Sequence, residues 1–146
     1  MTAVNPLDGI GAALKADEDL AGVVAGRVFW PALPRDQDNN VTTPMPNPAV
    51  VLRPAGGGMR YGRGTLRLSD PRFDTDCYGA TLAQSVQVHL AVQAALRRLV
   101  RQAAGGVLVH GLAVSNGGVT DVDPDTKWPL TIASYVAVVS DVPVAA

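Results

Sequence analysis

Two imidazoles, one thiol and a cluster of aspartates are the residues of this chain best suited to chemistry. Serine-histidine-acid catalysis needs a nucleophile held by a base that a third group orients. His89 and His110 are the only imidazoles, and no G-x-S-x-G motif accompanies either. His89 falls near the centre of an apolar helical arc, between Leu82 and Leu96 in angle. It is therefore expected to be a buried or interfacial histidine bonded to a backbone carbonyl. His110 alternates with Val107 and Val109 as an ordinary strand residue. Cys77 is the sole cysteine, so it has no partner for a disulfide, a redox pair or a zinc site. It reads as a small core residue.

Asp121, Asp123 and Asp125 resemble the start of a calcium loop, with ligands at alternate positions. That loop then requires Gly at its sixth place and a bidentate Glu at its twelfth. Thr126 and Ile132 stand there instead, so a solvated acidic loop is expected. Gly57 and Gly62 have the spacing of a phosphate-binding P-loop, but Arg63-Gly64 follow and the next element is a strand. No catalytic residue, metal or cofactor is expected from these motifs.

Arg53, Arg60, Arg63 and Arg67 fall in one stretch without an acidic residue. A basic loop of this kind docks on an acidic partner, touches a nucleic-acid backbone, or stays a solvated hairpin tip. Tyr61 among the arginines favours a contact, since both types are enriched where proteins meet.

The elements that position these residues follow from periodicity and punctuation. Pro6 to Lys15 reads as a short helix capped by Asn5, with Leu7, Ile10 and Leu14 on one stripe. A turn at Asp17 to Ala25 and a short strand at Arg27 to Trp30 follow. Pro34 to Pro48 is polar and proline-rich, a long loop of the kind that is functional or disordered until bound. Ala49 to Arg53 and Thr65 to Tyr78 read as strands, the second interrupted at Asp70-Pro71. Between them, Pro54 to Gly64 reads as a flexible glycine-rich loop.

Thr81 to Ala104 is the longest element, a helix bounded by glycines. Its apolar residues, including Val88, Val92, Leu96 and Leu99, spread over roughly 200° of circumference at 100° per residue. A helix lying on one sheet needs a narrower stripe. Either another element of this chain covers the excess, or a second protomer does; Val88, Val92, Leu96 and Leu99 are the candidate subunit-interface residues. Val107 to Val114 and Trp128 to Val139 close the chain as strands, with a turn or bulge signal at Ser115-Asn116-Gly117-Gly118. The expected class is α+β: a mostly antiparallel sheet of four to five strands, packed by one long helix and a short N-terminal helix in the order α-β-β-β-α-β-β.

Composition sets outer bounds. A chain of 146 residues fits a single domain, expected to span residues 1–146 with mobile loops at 34–48 and 54–64. A net charge of -1 carries no global mark of a nucleic-acid or membrane binder. The charged fraction of 17% is low for a surface wholly in water, which hints at partners covering part of it. No apolar run is long enough to span a membrane, and Met1 to Asp19 lacks the pattern of a signal peptide, so a cytosolic site of synthesis is expected.

Three stretches carry a likeness to a known family. They are Leu20 to Phe29, with its Gly-Arg-Val-aromatic step; Phe73 to Thr81, a strand ending in Tyr78-Gly79 and feeding the long helix with Ala91, Ala95 and Leu96; and Lys127-Trp128 followed by the strand through Tyr135 to Val139. In these the chain resembles the tail terminator, or tail completion, proteins of long-tailed bacteriophages and gene-transfer particles. The likeness covers nearly the whole chain in element order, while the segments 34–48 and 54–64 depart from the compact pattern.

The resemblance implies a structural virion protein with no enzymatic activity. It implies a homohexamer ring at the neck that caps the tail tube, ends its polymerisation and joins the tail to a head-side connector or stopper protein. Its partners would be copies of itself, the tail tube protein and that connector, with DNA passing through the lumen without sequence-specific contacts and no membrane. Other readings stay open at this point: another neck ring such as a head-closure protein, or a non-viral α+β domain binding a ligand under the long helix around His89.

Overall fold

The computed structural model describes residues 6–41, 47–61, 67–104 and 106–141. Two helices open the chain, α1 (Pro6–Ala16) and α2 (Glu18–Val24), followed by the two-residue strand β1 (Val28–Phe29). The long strands β2 (Ala49–Tyr61) and β3 (Arg67–Tyr78) lead into α3 (Leu82–Leu99). A second two-residue strand, β4 (Ala103–Ala104), precedes β5 (Val107–Val122) and β6 (Pro129–Asp141). They form one sheet in the order β1-β2-β3-β6-β5-β4. All pairs are antiparallel except β1 with β2. The α+β class stands, with four long strands and two short ones at the margins.

Alternation along the strands gives the sheet two faces. Val50 and Leu52 of β2, Phe73 and Cys77 of β3, and Ala133, Tyr135, Ala137 and Val139 of β6 join one buried cluster with the helices. Phe73 stacks on Tyr135 at the centre of that layer, ring centroids 5.4 Å apart. The residues between them face the other way. There Val51, Tyr78 and Leu130 form a smaller cluster with Leu33, and Phe29, Val41, Trp128 and Ile132 pack at its margin.

Local chemistry sets the helix boundaries. The Thr81 hydroxyl accepts from the Gln84 N–H at 3.1 Å, and the Gln84 side chain accepts from the Ala80 N–H. This is a reciprocal cap for α3. Asp17 caps α2 by accepting from the Leu20 N–H at 3.0 Å. The same carboxylate takes two bonds from Arg98, at 2.8 and 3.0 Å, which ties α2 to the end of α3. Gly11 is fixed by a close approach: a Cβ there would lie 2.6 Å from the Trp30 ring.

Several boundaries differ from expectation. Helix α3 stops at Leu99 and not at Ala104, although Gln102 to Ala104 are good helix formers. Val100 turns extended, Arg101 takes φ 67°, and Val109 accepts from the Arg101 N–H and donates to the Gln102 carbonyl. Pairing with β5 thus overrides propensity. The glycine-rich segment is strand as far as Tyr61, with a register shift between Pro54 and Gly57 that absorbs the proline. Ser115 to Gly118 makes no turn. It sits in β5 as a pair of register shifts, and the strand continues to Val122.

The proline-rich connection also packs in its described part. Leu33 is buried against the second sheet face, Arg35 bridges to Val41, and the Asp36 carboxylate accepts from the N–H groups of Asp38 and Asn40. Residues 42–46 lie outside the described set. Among the described residues no helix is long and apolar enough to cross a membrane.

Candidate functional site

The residues expected at a subunit interface lie instead inside the chain's own core. Val88, Val92 and Leu96 have no exposed surface, and Leu99 packs partly buried against the same cluster. The broad apolar arc of α3 is covered by the sheet on one flank and by α1 and α2 on the other. Of the two coverings that the sequence allowed, the intramolecular one holds for these residues. Each such side chain contributes about 1.5–3 kcal/mol through burial alone, so exposing them to a partner would cost the fold. What α3 leaves open is Leu82 and Leu90, 46% and 56% exposed.

His89 is buried, as its place on the arc requires, and its Nε2 lies 3.1 Å from the Gly117 carbonyl oxygen. Burial holds its pKa below the usual value of 6.5, so the imidazole is neutral near pH 7. The glycines of β5 press directly on it: a Cβ on Gly118 would come 3.0 Å from Nε2. His110 is an exposed bulge residue whose Nε2 lies 2.7 Å from the Ser140 hydroxyl. Sequence spacing gave no sign of that pair, because the pairing of β5 with β6 and a bulge bring it together. Among the described residues no carboxylate bonds the His110 ring. Cys77 is fully buried, and burial pushes its thiol up to about 12.

The basic stretch divides. Arg60, Tyr61 and Arg67 take their places at the ends of β2 and β3, and Arg63 lies outside the described residues. Arg53 is not a free contact residue. Its Nε lies 2.7 Å from one Asp76 oxygen and its Nη2 2.9 Å from the other, a two-point pairing across β2 and β3. The linear stretch looked free of acid because the acid comes from the neighbouring strand. Hydrogen bonding to Asp76 raises the Arg53 pKa, while burial raises that of Asp76 against the pull of the arginine.

This pair forms one wall of a cleft of about 220 Å³ on the sheet face away from the helices. Tyr78 donates to Asp123 at 2.7 Å and Arg35 donates to Asp125 at 2.7 Å along its other walls. Burial works to raise the Asp123 carboxyl, but bonds from Tyr78 and from the Asp125 and Thr126 N–H groups outweigh it and hold it low. The acidic loop is thus a clasp: Asp123 orders its own turn and Asp125 fastens the 33–41 segment to it. Among the described residues no cluster of His, Cys, Asp or Glu could hold a metal ion. Every acid in the cleft already accepts from a protein donor, so the arrangement binds segments of this chain to one another.

One further open feature lies in β5, which continues past Val114, where the sequence pattern ends the strand. From Ala113 to Val122 every residue of β5 is exposed. Val114, Val119 and Val122 stand at 48%, 52% and 47%. Beyond Leu108, the last residue paired with β4, β5 has β6 on one side and no strand on the other among the described residues.

The fold has a counterpart among solved structures. This chain shares its fold with a chain of a virion. The match is to a structure described as the virion of a native gene transfer agent particle, at TM-score 0.60 and 18% identity, covering 90% of this chain and 92% of that one. No family model matches the sequence, and no curated protein does. At this identity the likeness speaks to architecture, and it extends over nearly the full length of both chains.

Proposed function

We propose that this chain is a structural virion protein of the tail terminator kind. In this reading it forms a ring, a homohexamer, that caps the tail tube, stops further polymerisation and presents a docking face to the head-side connector. Tail tube protein and connector are its partners, and DNA passes through the lumen without sequence-specific contacts. It carries no enzymatic role.

The observation that supports the reading is the fold shared with a gene transfer agent virion chain over 90% of the length. The residues that resemble tail terminators give it direction, since Tyr78-Gly79 does end a strand and lead into α3. Gly79 is required there, because a Cβ would sit 2.6 Å from the Ser85 backbone nitrogen. Mechanism in such a ring is geometric. A contact between unlike surfaces that closes on itself has no free end from which to grow.

Electron microscopy of particles lacking this protein tests the proposal. Overlong or headless tails are the expected result. Normal tails joined to heads would exclude a terminator role.

A further inference from the structure

We infer that the exposed outer edge of β5 is the docking surface for a second copy of this chain, which presents the outer edge of its β2. This rests on the ring reading and specifies its contact. Edge strands offer unpaired N–H and C=O groups, and monomeric proteins blunt them with Lys, Pro, inward charge or a covering segment. β5 has no Lys, Arg or Pro between Val107 and Val122. Its register shifts fall between Val109 and Val119, leaving Val119 to Val122 as a regular run paired on one side only. Val114, Val119 and Val122 on β5, Leu82 and Leu90 on α3 and Val23 on α2 are the exposed large apolar side chains among the described residues.

The occupant follows from the opposite edge of the same sheet. β1 covers β2 only at Val50 and Val51, so the outer side of β2 is open from Leu52 onward among the described residues. Arg53, Pro54, Ala55 and Gly56 are exposed there, and Pro54, which has no N–H, interrupts the donors of that edge at one position. By sequence β5 carries Asp121 and no Lys or Arg, and β2 carries Arg60 and no acid, while Arg53, Asp123 and Asp125 are already paired within the chain. Strand direction fits as well. β5 runs antiparallel to β6, β6 to β3 and β3 to β2, so β5 and β2 of one copy point oppositely. A neighbour related by rotation about an axis along the strands therefore brings its β2 antiparallel to β5, the more stable ladder. Two unlike edges in one chain are what a head-to-tail ring needs.

The test uses two variants of the full chain, each placing lysine at exposed positions. Val119→Lys with Val122→Lys spoils the β5 edge, and Ala55→Lys spoils the β2 edge. Light scattering and mass photometry follow assembly, and thermal unfolding checks the fold. Each variant alone is expected to keep its melting temperature when compared with wild type as a monomer, and to lose at least about a hundredfold in self-association.

Mixed one to one, the two variants should form dimers and stop, because only one of the two possible joints has both edges intact. Assembly of the β5 variant at wild-type strength would overturn the inference while leaving the ring standing. Loss in both variants with no dimer on mixing would overturn the β5-to-β2 pairing. A wild-type chain that stays monomeric at high concentration and on tail tubes would instead overturn the ring itself.

Discussion

Replacing Gly118 with alanine probes the join between β5 and the helix layer. Gly118 has φ +119°, a region that L side chains rarely adopt. Forcing a non-glycine residue into such a conformation costs about 1–3 kcal/mol. The added Cβ would also stand 3.0 Å from Nε2 of His89, which must yield by a few tenths of an ångström. That ring has little room, being buried and held to the Gly117 carbonyl. Together the two effects should destabilise the chain by about 2–4 kcal/mol. For a chain near 150 residues that lowers the melting temperature by about 6–12 °C.

Gly117 is the internal control. A Cβ there meets nothing within 4 Å, so Gly117→Ala should stay within about 0.5 kcal/mol of wild type. Far-ultraviolet circular dichroism on heating, with urea midpoints beside it, reads both variants. Protein concentration must be matched, since any self-association would raise apparent stability by mass action. Equal stability of the two variants would refute the claim that β5 is seated on His89 through Gly118.

Three further outcomes follow from burial. Leu96→Ala should cost about 2–5 kcal/mol, while Leu90→Ala, 56% exposed, should stay within about 0.5 kcal/mol; similar urea midpoints would refute the placement of α3. His89 has its pKa lowered by burial, so below the ordinary value of 6.5 the unfolded chain binds more protons than the folded one. Its contribution is complete above about pH 6.5 and declines as pH falls through the lowered folded value, so His89→Gln should flatten the pH dependence of the urea midpoint in that window. Cys77, with its thiol pushed up to about 12 and no exposed surface, should react with a thiol-disulfide reagent at pH 8 only as the chain opens; fast reaction in the native state would contradict its burial.

The fold was legible where local signals and tertiary structure agree. Pro6, Asp8 and the Leu7-Ile10-Leu14 stripe mark α1, and Thr81 with Gln84 marks the start of α3. It was not legible where a distant strand decides. Arg101 to Ala104 carry helical propensity, but bonds to Val109 draw them out of the helix. Gly56 to Gly58 read as a loop because glycine disfavours strands, yet pairing of Gly57 with Pro71 and of Gly58 with Asp70 keeps the segment in β2.

Part of the candidate site was illegible for the same reason. Periodicity measured the width of the apolar arc on α3 but not which element covers it, so Val92 and Leu96 looked like an interface. Arg53 looked unpaired because Asp76 lies 23 residues away in sequence and across one strand in space. The exposed edge was hidden by Asn116-Gly117-Gly118, which has the composition of a hairpin turn and the geometry of a bulge.

These placements change where assembly can act. The helix face of the sheet is filled by its own chain, and much of the opposite face is closed around Leu33 and clasped by Arg35 and Asp125. Interior and exterior therefore separate by residue. Val88, Val92 and Leu96 maintain the fold and reach a neighbour only through it, whereas Val119 and Val122 can be altered without touching the core. A chain whose charged fraction is 17% has few charges with which to guard its margins, and β5 holds one Asp, Asp121, and no Glu, Lys or Arg. Such an edge is an aggregation hazard in a solitary monomer. In a ring the same edge is covered by its neighbour, and closure leaves no strand free to recruit more.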